Sequence, residues 1–285
     1  MTLATRTRYR KRFCAVGLLI GSLFAVPVTV ADESATATGD EQGASGNALR
    51  LTRQASWLFR SFLPDESDDA TTLGLEFESA FGIGNWDVKN IAYFEFNDFP
   101  RAIPGQPIGN PEPAGFEAAT GIGDVLTGFW FSRKGAHHGR HHLSWGLGAQ
   151  LPTASDDELG SGKWSVGPSF DYEYENGRLF AGAIAMQLWS VAGDSDRKDV
   201  STLIIKPFVY YSLNEVWDLM YVPYGISVYW DKNSGDKVYL PLGGGAQRRF
   251  RVGSAEMNLG AALYYNAVRP DNGTEWDLRL LLEFQ

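Results

Sequence analysis

The segment Glu275–Gln285, EWDLRLLLEFQ, alternates apolar and polar side chains over most of its length. One face is apolar and carries Trp276, Leu278, Leu280, Leu282 and Phe284. The opposite face carries the charged residues Asp277, Arg279 and Glu283, with Leu281 as the exception. A period of two residues predicts a β-strand with one apolar and one polar face. At the end of the chain, with an aromatic residue next to last, such a strand is typical of a barrel that faces lipid outside and a polar lumen inside.

Similar segments recur along the chain between turn signals. About twelve candidate strands are present, at residues 52–62, 71–82, 86–96, 121–132, 141–151, 163–174, 179–189, 200–212, 217–230, 237–249, 255–266 and 275–284. The first of them, around Trp57, is the weakest, because its pattern also fits a short helix inside a barrel mouth. The expected fold is all-β, an antiparallel up-and-down transmembrane β-barrel of about 12 strands. A soluble β-sandwich would show the same alternation, with its apolar face in a core.

The connections between these strands alternate in length. Long or polar connections lie at residues 97–120, 153–162, 192–199, 231–236 and 268–274. Short connections lie at residues 83–85, 175–178, 213–216 and 250–254, and 133–140 is a longer member of this set. Long outer loops and short periplasmic turns are the pattern of outer-membrane barrels, so an even strand number predicts that both termini lie in the periplasm. The Pro- and Gly-rich connection 97–120 is a candidate to fold over or into the barrel mouth.

Tryptophans lie near several predicted strand ends, at Trp86, Trp164, Trp217, Trp230 and Trp276. Amphipathic rings at these positions fit the aromatic girdles of a membrane barrel. Ordinary strand propensity for aromatic residues is the alternative explanation.

The N-terminus has the pattern of a secretory signal peptide. Residues 1–12 carry five basic side chains and no acid, and residues 13–26 are almost wholly apolar or small. This apolar run is about fourteen residues, too short for a transmembrane helix, which favours a cleaved signal at residues 1–31. Residues 32–50 are predicted to be a flexible periplasmic leader, and 51–285 the barrel. The single cysteine, Cys14, lies in the predicted signal, so no disulfide is expected after cleavage.

The charge of the chain excludes one class of partner. The formal net charge is -9, and it becomes -14 when residues 1–31 and their five basic side chains are removed. A strongly acidic chain argues against nucleic acid as a partner. Solubility and charge repulsion explain the same composition.

Several blocks in the second half of the chain resemble a known family. They are Leu151–Ala154, Leu159–Pro168, Gln187–Val200, Lys206–Phe208, Val238–Gly245 and Tyr264–Asp271. In this order they resemble the bacterial outer-membrane proteins grouped under the MetA pathway of phenol degradation, often called transporters. The resemblance covers roughly residues 120–285, and residues 32–119 match it less clearly. It implies a β-barrel and passage of small molecules; phenol as a substrate does not follow from it, and it supplies no catalytic residues.

All four histidines lie in one short segment, at His137, His138, His141 and His142. Imidazoles at this density can bind Zn²⁺, Cu²⁺ or Ni²⁺. The neighbouring basic residues oppose cation binding, and the alternative is a solvated polar loop. A serine hydrolase would need its base from this segment, with Ser132 or Ser144 as nucleophile by proximity alone. The chain is therefore expected not to be an enzyme, with no metal and no cofactor.

Three predicted outer loops are acidic, at residues 65–69, 155–158 and 194–199. Their oxygens could hold Ca²⁺ or Mg²⁺, or bridge through such ions to lipopolysaccharide phosphates. None has the full spacing of an EF-hand, and solvated loops are the simpler interpretation.

The polar faces of the strands supply the candidate functional residues. By strand parity, the predicted lumen-lining set is Glu76, Glu78, Asp124, Lys163, Asp171, Glu173, Gln187, Lys206, Arg249, Glu256, Asn258, Asp277, Arg279 and Glu283. Residues of both signs can set the solute preference of a water-filled pore, or they can form an ion-pair network that fills a narrow barrel. Four aromatic residues, Trp189, Tyr210, Tyr239 and Tyr264, are candidates to line a path for aromatic solutes.

Two functions remain open at this stage. The first is an outer-membrane channel for passive passage of small, aromatic or hydrophobic solutes. The second is a non-conducting structural or surface-interaction barrel with a plugged lumen, since twelve strands lie between filled eight-stranded and open sixteen-stranded barrels. The expected partners are outer-membrane lipid, lipopolysaccharide, the barrel-assembly machinery and, for a channel, a small-molecule solute.

Overall fold

The computed structural model describes residues 49–64, 69–110, 117–135, 139–233, 235–253 and 255–284. The predicted signal peptide lies outside these residues, as does all of the predicted leader except Leu49 and Arg50. No helix among the described residues is long and apolar enough to span a membrane.

The described residues form β-strands almost throughout. The strands are β1 (Arg50–Phe62), β2 (Ala70–Ile83), β3 (Trp86–Phe99), β4 (Ala119–Ile122), β5 (Val125–Arg133), β6 (His141–Leu151), β7 (Lys163–Asn176), β8 (Leu179–Gly193), β9 (Ser201–Ser212), β10 (Trp217–Tyr221), β11 (Ile226–Tyr229), β12 (Val238–Val252), β13 (Ala255–Val268) and β14 (Trp276–Phe284). One 3-10 helix, Asp157–Leu159, lies between β6 and β7.

The sheet closes on itself to form a barrel. Every pairing is antiparallel, and β1 pairs with both β2 and β14, so neither the first nor the last strand is left as an edge. Both β4 and β5 pair with β3, and both β10 and β11 pair with β9 and β12. Each of these two couples is therefore one interrupted barrel strand. The result is a closed antiparallel barrel of twelve strands, as predicted, with β1 as a strand and not a helix.

The two interruptions have local causes. Between β10 and β11, Pro223 has no amide hydrogen to donate to a neighbouring strand. The backbone there finds side-chain partners instead: the Val222 amide donates to the Tyr264 hydroxyl, and its carbonyl accepts from Arg279. Between β4 and β5, the buried Asp124 carboxylate accepts hydrogen bonds from Ser161 and Gln150. Both breaks thus direct polar groups into the barrel.

The connections alternate as the sequence indicates. Tight turns at residues 84–85, 177–178 and 213–216 lie at one end of the barrel, together with the start of β1 and the end of β14. This end is called the short-turn end. The connections at 63–69, 100–118, 152–162, 194–200, 230–237 and 269–275 lie at the other, the long-loop end.

The outer surface of the barrel is apolar. Leu143, Trp145 and Leu147 on β6 alternate with buried inward residues and are 63%, 56% and 63% exposed. The outward residues of β7 and β13, among them Phe170 and Leu259, are also exposed. Large apolar side chains at this density are unfavourable in water and favourable against lipid tails. Exposed tryptophans lie at or next to strand ends, at Trp164, Trp217, Trp230 and Trp276.

Candidate functional site: a lumen closed at one end

A cavity of about 990 Å³ occupies the lumen on the short-turn side. Its wall reaches the turns at Gly177, Arg178 and Glu215, so it opens at the short-turn end. Further in, it ends against Tyr224, Lys206 and neighbouring aromatic rings. Toward the long-loop end there is a void of about 430 Å³ beside Pro64 and residues 267–272, and one of about 10 Å³ beside the inward-folded loop at Gly105 and Gln106. Within the described part of the chain, the lumen is therefore open at one end and closed toward the other.

Most of the sequence-predicted lumen residues lie together on this cavity. The ten that line it are Glu76, Glu78, Asp171, Glu173, Lys206, Arg249, Glu256, Asn258, Arg279 and Glu283. They come from six different strands, because alternation places every second side chain of each strand on the inner face. The structure thus brings groups of both charges to one water-accessible wall.

Three further predicted residues point inward but lie away from this cavity. Asp124 is buried near the loop 152–162, and Asp277 is buried with its carboxylate 2.7 Å from Asn266 Nδ2. Lys163, the first residue of β7, is buried and forms a salt bridge of 3.2 Å with Asp199. Hydrogen bonds from Lys163 and Ser190 hold the pKa of Asp199 below its ordinary value. These residues secure the long-loop end.

The sequence prediction is wrong for Gln187. On β8 the inward side chains are Ile184, Met186 and Leu188, so Gln187 lies on the outer face. Its side-chain oxygen accepts from Trp230 Nε1 at 2.8 Å. Trp189 has the same parity and is 48% exposed, so it does not line a solute path. The physical reason is that the inner face of β8 is apolar, which reverses the polarity that the prediction assumed.

Ion pairs organise the charged wall. Arg53 lies 2.9 Å from Glu76 and 2.7 Å from Glu283, and so joins β1 to β2 and β14. Lys89 forms salt bridges with Asp171, which is fully buried, and with Glu173. Removing one member of such a buried pair leaves an uncompensated charge, which costs several kcal/mol.

Sequence reasoning missed Arg53 and Lys89. The strands that carry them, β1 and β3, have polar and apolar residues on both faces, so alternation alone does not show which face points into the lumen. The inner face of β1 carries Trp57 and Phe59, while its outer face carries Ser56. This inversion arises because the β1 aromatic rings fill the lumen.

An apolar cluster fills the middle of the lumen. Its largest members are Trp57, Tyr93, Trp130, Met186 and Tyr264. Trp57 lies against the backbone of Gly74, where a Cβ atom would be 2.1 Å from the indole ring. Glycine at this position therefore allows the ring to lie flat across the inner wall.

A loop folds inward and caps this cluster from the long-loop side. Residues 102–110, between β3 and β4, are buried except Pro104, and Ile103 is fully buried. Tyrosines from the wall hold its backbone: Tyr229 donates to the Gly105 carbonyl at 2.8 Å, and Tyr239 donates to the Pro104 carbonyl at 3.0 Å. This inward loop (102–110) is part of the connection that the sequence indicated as a candidate to enter the mouth.

The other end of the inward loop is held in the same way. The Ile108 amide donates to the Tyr224 hydroxyl at 3.0 Å, and Gln106 Nε2 donates to Thr274 Oγ1 at 3.1 Å. Four wall side chains, Tyr224, Tyr229, Tyr239 and Thr274, therefore bond to polar groups of the inward loop. Without them, these groups would have no hydrogen-bond partner in an apolar lumen.

The structure separates some of the remaining sequence candidates, while His142 and Ser144 share the inner face of β6 beside Asp171. His141 points outward and contacts Tyr172 and Tyr174, whereas His137 and His138 lie outside the described residues. Ser144 is buried and its hydroxyl is 3.4 Å from Asp171, on the inner face and not toward lipid. The described residues contain no cluster of three or more His, Cys, Asp or Glu arranged to hold a metal ion.

In the acidic loops, two carboxylates bond to local backbone amides and two, Asp157 and Asp199, pair with basic side chains. Asp156 accepts from the Glu158 amide and caps the 3-10 helix, and Asp194 accepts from the Asp196 amide. Residues 65–68 of the first acidic loop lie outside the described residues.

A closed antiparallel barrel with an apolar outer band, exposed tryptophans at its strand ends and a charged lumen defines the class: a transmembrane β-barrel of the bacterial outer-membrane type. Comparison with known proteins agrees with this fold. An outer membrane channel from Pseudomonas putida F1 is similar over 88% of this chain and 98% of its own, with a TM-score of 0.52 and 13% identity. At this identity the similarity shows the fold alone.

A FadL homologue from Pseudomonas aeruginosa is similar over 82% of this chain and 74% of its own, at 14% identity, but its TM-score of 0.34 is too low to support an argument. No family model and no curated protein matches the chain. The resemblance to the MetA-pathway family therefore stays a prediction from the sequence blocks.

Proposed function

We propose that the chain is an outer-membrane channel for passive passage of small solutes, with aromatic or hydrophobic solutes as its candidates. The observation that carries the proposal is the lumen itself: a cavity of about 990 Å³ with a charged wall opens at the short-turn end. Its volume is in the range of small-molecule sites. The similarity in fold to an outer membrane channel supports the proposal.

In this proposal the inward loop is the constriction. It is a connection and not a barrel strand, so it can leave the lumen without breaking the hydrogen bonds between strands. Movement of a loop costs far less than opening a closed barrel, in which every strand is paired on both sides. Solutes would then pass along the charged wall and across the aromatic rings of the mid-lumen cluster.

The pattern of the connections supports one orientation of the barrel in the membrane. We place the short-turn end and both termini in the periplasm and the long loops outside, where their acidic residues would meet divalent ions and lipopolysaccharide. The apolar band would contact membrane lipid, and the barrel-assembly machinery would insert it.

One observation favours a second function. The mid-lumen cluster and the inward loop are both well buried, as expected for a plugged barrel with a structural or surface-interaction role. Planar-bilayer conductance distinguishes the two functions. The wild type and a variant with residues 102–109 replaced by a short Gly-Ser linker would be compared.

A channel predicts rare or small openings for the wild type and larger, more frequent openings for the variant. A variant that folds, shown by its heat-modifiable migration on gels, but never conducts would support the plugged barrel. A second variant with residues 194–196 replaced by Gly and Ser is the control: these residues are exposed, and the change keeps Asp199, the partner of Lys163, so conductance should stay unchanged.

A further inference from the structure

Three hydrogen-bond donors meet at the inner end of the cavity. Trp57, Lys206 and Arg279, called here the donor cluster, all line the cavity wall. The Lys206 ammonium lies 5.9 Å from the centre of the Trp57 ring, and the Arg279 guanidinium carbon lies 5.6 Å from the same ring. Two cations and an indole N–H from three strands are therefore held within one small volume.

Two buried N–H groups of the donor cluster have no acceptor in the described residues. Trp57 is 3% exposed and its Nε1 has no hydrogen-bond partner; Arg279 is 7% exposed and its Nε also has none. The contacts that the two cations do make are to backbone: Lys206 Nζ donates to the Tyr224 carbonyl at 3.1 Å, and Arg279 donates to the Val222 carbonyl. Buried donors without acceptors are costly, so the site is suited to a ligand that brings acceptor oxygens.

Four other cations on the cavity wall, Arg53, Lys89, Arg249 and Arg251, are paired with carboxylates, whereas Arg178 lies at the turn of the open end. Arg53 is bound to Glu76 and Glu283, and Lys89 to Asp171 and Glu173. Among the described residues, neither Lys206 nor Arg279 forms such a salt bridge. The nearby Glu95 carboxylate accepts from the Tyr224 hydroxyl at 2.7 Å and does not line the cavity. Glu95 and Glu76 act on Lys206 only at longer range, so the two cations lack a direct partner among the described carboxylates at this position.

Aromatic rings surround the donor cluster. Tyr93 lies 4.4 Å from the Lys206 ammonium, and Phe59 lies 5.1 Å from the Arg279 guanidinium. Both rings line the cavity, as does Tyr224. Planar rings against a wall of this kind favour a planar apolar body in the ligand.

We propose that the donor cluster binds the carboxylate of a small aromatic monocarboxylic acid that enters the cavity from the short-turn end. The carboxylate accepts from Lys206 and Arg279, and the aromatic ring packs against Phe59 and Tyr93. A single negative charge is favoured because Glu78 and Glu173 on the same cavity wall repel a second one. The inference rests on the proposed function in that it names the solute class, although binding itself does not require conduction.

The test uses the detergent-solubilised barrel, isothermal titration calorimetry at pH 7 and three probes of similar shape. Benzoate carries the carboxylate, benzyl alcohol is neutral and benzylamine is cationic. Benzoate is expected to bind at least about tenfold more tightly than benzyl alcohol, and benzylamine is expected to give no binding heat. The reason is that a hydrogen bond to a charged group is stronger than one between neutral groups.

Variants assign the binding to the donor cluster. Lys206→Met and Arg279→Met should each weaken benzoate about tenfold or more, and Lys206→Arg should keep most of the affinity. Arg60→Met is the control: it also removes one positive charge, but Arg60 lies outside the cavity and pairs with Asp69. Heat-modifiable migration shows that each variant is folded.

Several outcomes would overturn the assignment. They are no benzoate binding at millimolar concentration, equal or tighter binding of benzyl alcohol or benzylamine, or unchanged benzoate affinity in both Met variants. This failure is separate from failure of the channel. A barrel that conducts but does not bind benzoate refutes only the site, and a barrel that binds benzoate but never conducts refutes only the channel.

Discussion

The inward loop should open when its tyrosine hydrogen bonds are removed. The double variant Tyr229→Phe with Tyr239→Phe deletes the two hydroxyl groups that donate to Gly105 and Pro104. Phenylalanine keeps the rings in the wall, so packing is preserved while two backbone carbonyls of the loop lose their donors. The loss of these two bonds penalises the closed arrangement, because a displaced loop would hydrogen-bond to water. The Tyr239 hydroxyl also accepts from the Thr274 amide, and that bond is lost whether the loop is closed or displaced.

The size of the effect follows from the structure. Both hydroxyls are at ordinary hydrogen-bond distances and both tyrosines are buried. Each bond contributes about 1 kcal/mol net, so the two together stabilise the closed loop by about 2 kcal/mol. Since about 1.4 kcal/mol corresponds to a tenfold change, the ratio of open to closed loop should rise roughly thirtyfold.

Single-channel recording in planar bilayers measures this ratio as open probability. The matched control is Tyr221→Phe, because the Tyr221 hydroxyl donates to the Pro241 carbonyl in the wall and not to the loop. Open probability should rise in the double variant and stay near the wild-type value in the control. An unchanged open probability in a folded double variant, or an equal rise in the control, would refute the role of these bonds in holding the loop.

Three further predictions follow from the wall of the barrel. Leu147→Arg, on the lipid face in mid-strand, should destabilise the barrel by about 2–4 kcal/mol in urea unfolding from lipid vesicles, whereas Val191→Arg near a strand end should cost at most about 1 kcal/mol; equal costs would contradict the assigned depth. Lys89→Met should destabilise by about 3 kcal/mol because it strands the buried Asp171 carboxylate, and adding Asp171→Leu should recover most of the loss; no recovery would show that packing, not charge, was lost. Glu78→Gln should shift the ion selectivity of the open channel toward anions, measured as the reversal potential in a salt gradient, and an unchanged potential would remove Glu78 from the conduction path.

The architecture of the barrel could be predicted from the sequence because alternation and loop length are local signals. In β7 and β14 each outward position is apolar and each inward position is polar or small, with few exceptions. Contact with lipid determines the first set of residues, and contact with the lumen determines the second. The number of strands and the alternation of loop length can be counted from the same alternating segments. Both signals are local, so they can be recognised without knowing which distant strands pair.

The interior of the lumen could not be predicted in the same way. On β1 and β8 the inner face is apolar because Trp57 and Met186 pack across the barrel, which inverts the parity rule and misplaces Gln187. The contacts of the inward loop join residues more than one hundred positions apart, as with Gly105 and Tyr229. Such contacts depend on the closed fold, and no spacing in the sequence encodes them.

The central claim is that the inward loop, packed on the mid-lumen cluster, must move before the lumen conducts. A reversible cross-link tests it most directly. Gln106→Cys with Thr274→Cys places thiols at two positions whose native side chains hydrogen-bond, with Gln106 Nε2 3.1 Å from Thr274 Oγ1. The only native cysteine, Cys14, lies in the predicted signal peptide. A short thiol-reactive cross-linker with a reducible bond would join the loop to the wall. The account predicts that bilayer conductance disappears on cross-linking and returns on reduction; conductance that persists with the loop fully cross-linked would contradict it.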